Sequence, residues 1–476
     1  MQDQDIATTE FSSEESPREI STTEGEAQRG PSFIDRVVTT LLILLGLLLP
    51  LFVLPSTLFP LQLGKGLLVF IVATLGCLGA AVVALREGTV RVYKSPLLWV
   101  LLLLPIVYGI SAIVTGPSNS SIYGQGYEFG TVLSVLVMNI LAVLSATYLN
   151  SPRRVWLLYT FLFGAAAVVA LFLSARLSFG ASFLNLNGLF GVIAANPVGK
   201  WYDAAIFFAL VITLIMSAVQ FLTLSRLTKI GLSVLFVLCL CFLAIINFYV
   251  LWLVLAPFAL AFAVYTLSQR NREFSESGTV RQTVRGPVFI LPIALLLVSG
   301  FFAIANYPAV DQNGQLQPTL GDAISEKLNI VYVEVRPSWR STMGIAREVA
   351  SSEGVFGAGP NRFTNEWLLF KPVGVNENIF WATDFNSGIG IVPSAATTVG
   401  PIGLAVWVVI IGLLLLQGLR VVMRPPVERT RRFLLLSSFF GAVILWSSMI
   451  LYVPSTSLIS LTFIFTGIFA GVLALE

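Results

Sequence analysis

The sequence predicts an all-α, polytopic membrane protein of about 12 transmembrane helices, with one large external helical loop between the ninth and tenth. Three observations predict it. Of 476 residues, 56% are apolar and only 11% are charged, whereas a soluble domain carries roughly a quarter charged residues. The mean hydropathy is +0.87, so most of the exterior must face lipid rather than water. The apolar residues fall in runs of about twenty, the length that crosses roughly 30 Å of hydrocarbon as helix.

The first thirty residues stand apart. They hold eight acidic residues against two arginines, with many Ser and Thr and one large aromatic, Phe11. Such a segment buries too little apolar area to offset its chain entropy and reads as a disordered acidic tail. It lacks the basic start, short apolar core and small-residue cleavage site of a signal peptide. The first apolar run is therefore expected to act as an uncleaved membrane anchor.

The expected spans are 37–54, 63–85, 96–115, 129–149, 155–174, 201–223, 228–246, 248–267 and 286–306, then 399–420, 433–451 and 454–475. Residues 31–306 thus carry helices one to nine, 307–398 the external loop, and 399–476 the last three helices. Two connections are tight, at Ile246-Asn247 and Tyr452-Val453-Pro454; a re-entrant turn at either would lower the count.

Loop charge orients the spans. With the tail inside, five inner loops receive sixteen basic residues: Arg86, Arg91, Lys94, Arg153, Arg154, Arg226, Lys229, Arg270, Arg272, Arg281, Arg285, Arg420, Arg424, Arg429, Arg431 and Arg432. The short outer loops hold Arg176 and Lys200, with Lys65 near the outer end of the second span. This obeys the positive-inside rule and places both termini in the cytoplasm. The basic loops are topology signals, not nucleic-acid sites.

Composition also excludes chemistry. There is no histidine, the commonest metal ligand and the commonest general base near neutral pH. The cysteines Cys77, Cys239 and Cys241 lie inside apolar runs and read as packing residues. No metal, cofactor or Walker-type phosphate loop is indicated. Almost no ionised residue lies mid-span, where each would cost roughly 2.5–3.5 kcal/mol. Ion-coupled transporters usually keep such residues near the midplane, so the pattern counts against that class.

The polar chemistry sits in residues 307–398, which carry Lys327, Arg336, Arg340, Arg347, Arg362 and Lys371 on the outer face. Loops of this length tend to be functional. Ser341–Ser352 reads as a short helix capped at Ser338 or Ser341. Gly357-Ala358-Gly359-Pro360 forces a turn, and Asn361–Phe370 reads as a second helix carrying Phe363, Trp367 and Phe370. Trp339 and Trp381 complete an aromatic surface.

The run from Arg340 through Phe356-Gly-Ala-Gly359-Pro-Asn-Arg-Phe363 resembles the core of the O-antigen ligase and polymerase family. The turn around Asn196-Pro197 and the Gly400-Pro-Ile-Gly403 that opens the tenth span resemble two further family features. These features touch under a quarter of the chain, while the span count and loop position match along its full length. The family comprises glycosyltransferases of the bacterial inner membrane, with a glycosyltransferase-C type fold. The resemblance implies a polyprenyl-pyrophosphate-linked glycan donor and a glycan or glycolipid acceptor hydroxyl on the outer face.

On that reading Arg340 and then Arg336 bind the donor pyrophosphate, supported by Arg176 or Lys200, because arginine forks match phosphate oxygens bidentately. Trp339, Trp367 and Trp381 would stack on sugars. Gly357, Gly359 and Pro360, with Asn196 and Pro197, would shape the turns. The family histidine before the Gly-x-x-Gly is missing from Trp381–Gly390. Asp384 is the nearest substitute base; Glu366 and Glu377 are less well placed. A translocator of lipid-linked glycan or small solute, or a non-catalytic member of the same fold, are the other readings.

Overall fold

The computed structural model describes residues 32–56, 60–89, 94–124, 128–277, 289–309, 317–377 and 379–475, without the side chains of 270–277. The acidic tail 1–30 lies outside the described residues, as do Arg91, Arg281 and Arg285 and the side chains of Arg270 and Arg272.

The described residues form seventeen α-helices and no strand: α1 (Phe33–Leu51), α2 (Leu61–Glu87), α3 (Pro96–Val114), α4 (Asn119–Ile122), α5 (Val132–Tyr148), α6 (Pro152–Phe179), α7 (Trp201–Phe221), α8 (Arg226–Ile246) and α9 (Tyr249–Ser277) come first. After them come α10 (Ile290–Ala305), α11 (Leu320–Lys327), α12 (Trp339–Ser352), α13 (Phe363–Phe370), α14 (Ile391–Thr398), α15 (Gly400–Met423), α16 (Arg429–Leu451) and α17 (Thr456–Leu473). Ten are long and apolar enough to cross a membrane: α1 to α3, α6 to α9 and α15 to α17. Helices α5 and α10 are equally apolar but have 17 and 16 residues, about 25 Å of rise.

Caps and turns set the boundaries. Ser32 and Asp35 form a reciprocal capping box at the start of α1, each side chain accepting the other's backbone N–H at 3.1 Å. The tight link after Ile246 is a sharp turn between long helices: Asn247 takes a left-handed conformation, φ 47°, which asparagine tolerates well. Its side chain bonds Asn306 at 2.8 Å and accepts from the Trp252 indole at 2.9 Å. Tyr452–Pro454 likewise joins two long helices, of 23 and 18 residues.

Burial sorts the helices into a centre and a ring. The apolar stretches of α7 and α17 are 94% buried, those of α2 and α15 only 28%. Along the interface of α17 with α5, Gly467 and Gly471 face the backbone carbonyls of Ala142 and Ala146, where a Cβ would come within 2.1 and 2.4 Å. Such small-residue spacing lets helix backbones approach closely in lipid. The ring turns apolar side chains outward, among them Leu78 on α2, Ile106 on α3, Val234 and Val237 on α8 and Leu416 on α15. An exterior of this kind is stable against hydrocarbon and not against water.

The segment between α10 and α14 has its own small core. Ile345 and Val349 of α12, Ala358, and Phe363 and Trp367 of α13 pack together, with Phe385 edge-on to Trp367. Helix α12 begins at Trp339, capped by Ser338, whose hydroxyl accepts the Ser341 N–H at 3.1 Å. Helix α14 is an addition to the expected elements. It is buried along its whole length and is joined to α15 through Val399.

Candidate functional site

The turn Phe356–Pro360 fixes the segment between α10 and α14 to the long apolar helices. Ala358 and Gly359 donate their backbone N–H groups to Thr397 O at 3.0 Å and Thr398 O at 2.8 Å, at the end of α14. Ser111 of α3 donates to Phe356 O at 2.8 Å. Gly357 and Gly400 both have left-handed φ, 69° and 68°, and stand so close that a Cβ on Gly357 would lie 2.5 Å from Gly400 N. The Phe-Gly-x-Gly turn and the Gly-x-x-Gly helix start are thus two halves of one contact. Beyond it Arg362 donates to Thr115 O at 2.9 Å and to Gly116 O, clamping the turn to the end of α3. Pro360 lies buried just before this clamp.

Between this turn, α3, α14 and the starts of α7 and α17 lies a cavity of about 360 Å³. Its lining includes Lys200, Glu334 and Arg336, and also Glu128 and Asn361. The organising group on its basic side is Glu334. One carboxylate oxygen accepts from Lys200 Nζ at 2.9 Å and from Arg336 Nε at 3.1 Å, with Arg336 Nη2 also bonded to it. The other oxygen accepts from the hydroxyls of Tyr332 at 2.7 Å and Tyr452 at 3.1 Å. The Arg336 guanidinium lies 3.6 Å from the centre of the Tyr452 ring, a cation–π contact that adds to the ion pair. Burial pushes the Glu334 carboxyl upward, but Lys200 and Arg336 outweigh it and hold the group below the ordinary carboxylate range. Burial, then the nearby carboxylates, raise the Tyr452 hydroxyl well above its usual value; burial and Glu334 raise that of Tyr332.

A second polar knot holds Lys200 in place. Lys65 is wholly buried, and its ammonium donates to Leu49 O at 2.7 Å, Val198 O at 2.9 Å and Ser457 Oγ at 2.8 Å, and to Pro197 O. Asn196 caps the same turn: its Oδ1 accepts from Val198 N at 3.0 Å and Gly199 N at 3.2 Å. Asp203 accepts from Lys200 N at 2.7 Å and Ser455 N at 3.0 Å. Asn196 and Pro197 therefore serve as a turn, stapled by the lysine expected near the outer end of the second span.

The remaining expected residues divide. Arg336 and Lys200 meet at the cavity. Arg340 is exposed on the first turn of α12, and Asp384 is exposed beyond α13; neither lines the cavity. Arg176 is corrected from phosphate ligand to structural clamp: its buried guanidinium donates to Phe183 O at 2.8 Å, Phe190 O at 2.8 Å and Val192 O at 2.6 Å. Trp367 is corrected from sugar platform to core residue, 2% exposed and bonded to Thr383 O at 3.1 Å. Trp339 and Trp381 stay exposed, at 45% and 62%. Among the described residues no cluster of His, Cys, Asp and Glu could hold a metal.

Glu334, Tyr332 and Tyr452 went unnoticed in the sequence, though a signal was there. Val331-Tyr-Val-Glu-Val-Arg336 alternates apolar and polar residues at the two-residue period of an extended chain. Val331 and Val333 face outward at 81% and 80% exposure, while Tyr332, Glu334 and Arg336 turn inward to a common point.

Taken together, the apolar helices and their outward apolar faces define a multi-pass integral membrane protein embedded in a lipid bilayer. Against known families the chain matches no family model, and no curated protein matches it.

Proposed function

We propose that the chain is a membrane glycosyltransferase that transfers or polymerises a polyprenyl-pyrophosphate-linked glycan at the outer face of a bacterial plasma membrane, with twelve crossings and cytoplasmic termini. The reading starts from the resemblance to the O-antigen ligase and polymerase family and from the inner-loop charge bias. One observation carries it into chemistry. Lys200 and Arg336, more than 130 residues apart in sequence, share the Glu334 carboxylate beside a cavity between the external segment and the membrane helices.

At Glu334 two cations meet one carboxylate, which leaves local positive charge for an incoming diphosphate although Glu128 stands elsewhere in the same lining. Glycosyl transfer leaves negative charge on the departing lipid pyrophosphate, and fixed cations aimed at that charge lower the barrier. An arginine fork can hold two phosphate oxygens at once. A side chain only 13% exposed gives the contact a partly dry setting in which it is stronger than in water. The acceptor is a hydroxyl of a glycan or glycolipid.

The test replaces Arg336 with Ala and follows cell-surface glycan at matched membrane protein level. Loss of one transition-state donor is typically worth about 100-fold or more in rate, so surface glycan should fall sharply. Unchanged glycan in the Arg336→Ala cells ends the assignment.

A further inference from the structure

We infer that Glu128 is the proton acceptor of the transfer step, taking the place of the histidine that the family pattern carries and this chain lacks; the inference rests on the glycosyltransferase reading above. Two carboxylates line the cavity among the described residues, Glu128 and Glu334. Glu334 is committed: its oxygens accept from Lys200, Arg336, Tyr332 and Tyr452. Those cations hold it below the ordinary carboxylate range, which makes it a weak base. Asp384, the nearest acid in sequence to the missing histidine, does not reach the cavity lining.

Glu128 is held differently. It precedes α5, and its Oε2 accepts from the Asn361 amide. Asn361 is fixed in turn. It has φ 61°, donates to Ser120 O at 3.2 Å, and lies between the Gly359 contact with Thr398 and the Arg362 clamp on α3. The family-like turn thus presents an amide that orients one carboxylate oxygen by a neutral hydrogen bond. Among the described residues Oε1 accepts no hydrogen bond, which leaves it for a substrate hydroxyl. A positioned acid or base is typically worth 10²–10⁴-fold in rate.

The step balances within donor and acceptor. The acceptor hydroxyl oxygen bonds to the anomeric carbon of the donor sugar. That carbon's bond to the pyrophosphate oxygen breaks, and its electron pair leaves with the lipid pyrophosphate beside Arg336 and Lys200. The hydroxyl proton passes to Glu128 and then to water. Nothing is oxidised or reduced.

The experiment separates proton acceptance from donor binding. Full-length wild type, Glu128→Gln, Glu128→Asp and Arg336→Ala are expressed in cells lacking the native copy, and surface glycan is measured. Membranes are labelled with a photoactivatable farnesyl pyrophosphate as donor probe. Glu128→Gln should lower glycan transfer about 100-fold or more while labelling stays within about twofold of wild type. Glu128→Asp should recover part of the transfer. Arg336→Ala should lose labelling. Wild-type transfer by Glu128→Gln overturns the role, as does loss of labelling in that variant, which would make Glu128 a binding or structural group. If wild type itself neither restores glycan nor labels, the glycosyltransferase reading fails, a result distinct from failure of Glu128 alone.

Discussion

Replacing Gly357 with Ala tests how the external segment is held over the cavity, and the structure fixes the size of the effect. At φ 69° an L-residue costs about 1–2 kcal/mol. The new methyl would also stand 2.5 Å from Gly400 N and 2.5 Å from Thr397 O. Both are backbone atoms with no rotamer to escape into, so the turn must retreat. Retreat breaks the Ala358–Thr397 and Gly359–Thr398 hydrogen bonds, about 1 kcal/mol each. The sum is roughly 3–4 kcal/mol of local stability. Gly88 supplies the control: its φ is 67°, yet nothing lies within 4 Å of a Cβ there, so Gly88→Ala carries the 1–2 kcal/mol of strain alone. That strain sits at the end of α2 and leaves residues 339–390 closed, so the roughly 3–4 kcal/mol corresponds to a more than about 100-fold larger open population of this segment in Gly357→Ala alone. Limited proteolysis of purified protein reads this, because cleavage follows the open population when reclosing is fast. Gly357→Ala should be cut between residues 339 and 390 more than about 100-fold faster than Gly88→Ala. Equal cutting in the two variants would refute the reasoning.

Two further outcomes follow from the buried charges. Lys65→Met leaves the carbonyls of Leu49, Pro197 and Val198 without their donor, and should cost about 1–3 kcal/mol for each buried acceptor left unsatisfied; a thermal midpoint equal to wild type would exclude it. Glu334 has a depressed carboxyl pKa in the folded protein, so its stabilisation is present above the unfolded value, about 4.3, and is lost as pH falls through the folded one. The midpoint difference between wild type and Glu334→Gln should therefore close on acidification, and a gap that stays constant to the lowest pH contradicts the pairing.

The membrane helices were legible because lipid imposes a length and a composition that no tertiary contact can override. Helix α14 was not legible, for the opposite reason. Ile391-Val-Pro-Ser-Ala-Ala-Thr-Thr398 is short, carries a proline and three hydroxyls, and shows no helical stripe because its whole circumference is buried. The ranking of arginines, Arg340 before Arg336, took no account of Pro337. A residue before proline is driven to extended backbone, so Arg336 belongs to the alternating stretch that turns inward, whereas Arg340, after the Ser338 cap, follows the helix and points out. Reading that proline as a boundary would have reversed the two.

The alternation at 331–336 also explains how Arg336 can be held partly buried. A partly buried arginine beside an empty cavity would carry an uncompensated charge, which is costly. Glu334 removes that cost through Arg336 and Lys200 together, and the two tyrosines fill its remaining oxygen. Yet it neutralises only one of the two cations. An anion entering the cavity would draw on Lys200, which is 44% exposed and gives up only its own ion pair with Glu334, while Arg336 stays held by Tyr452 and Glu334. The arginine then sets geometry and the lysine supplies reach. A Glu334→Ala variant would keep both cations but lose the geometry, so its defect should exceed that of Lys200→Ala in the same photolabelling assay.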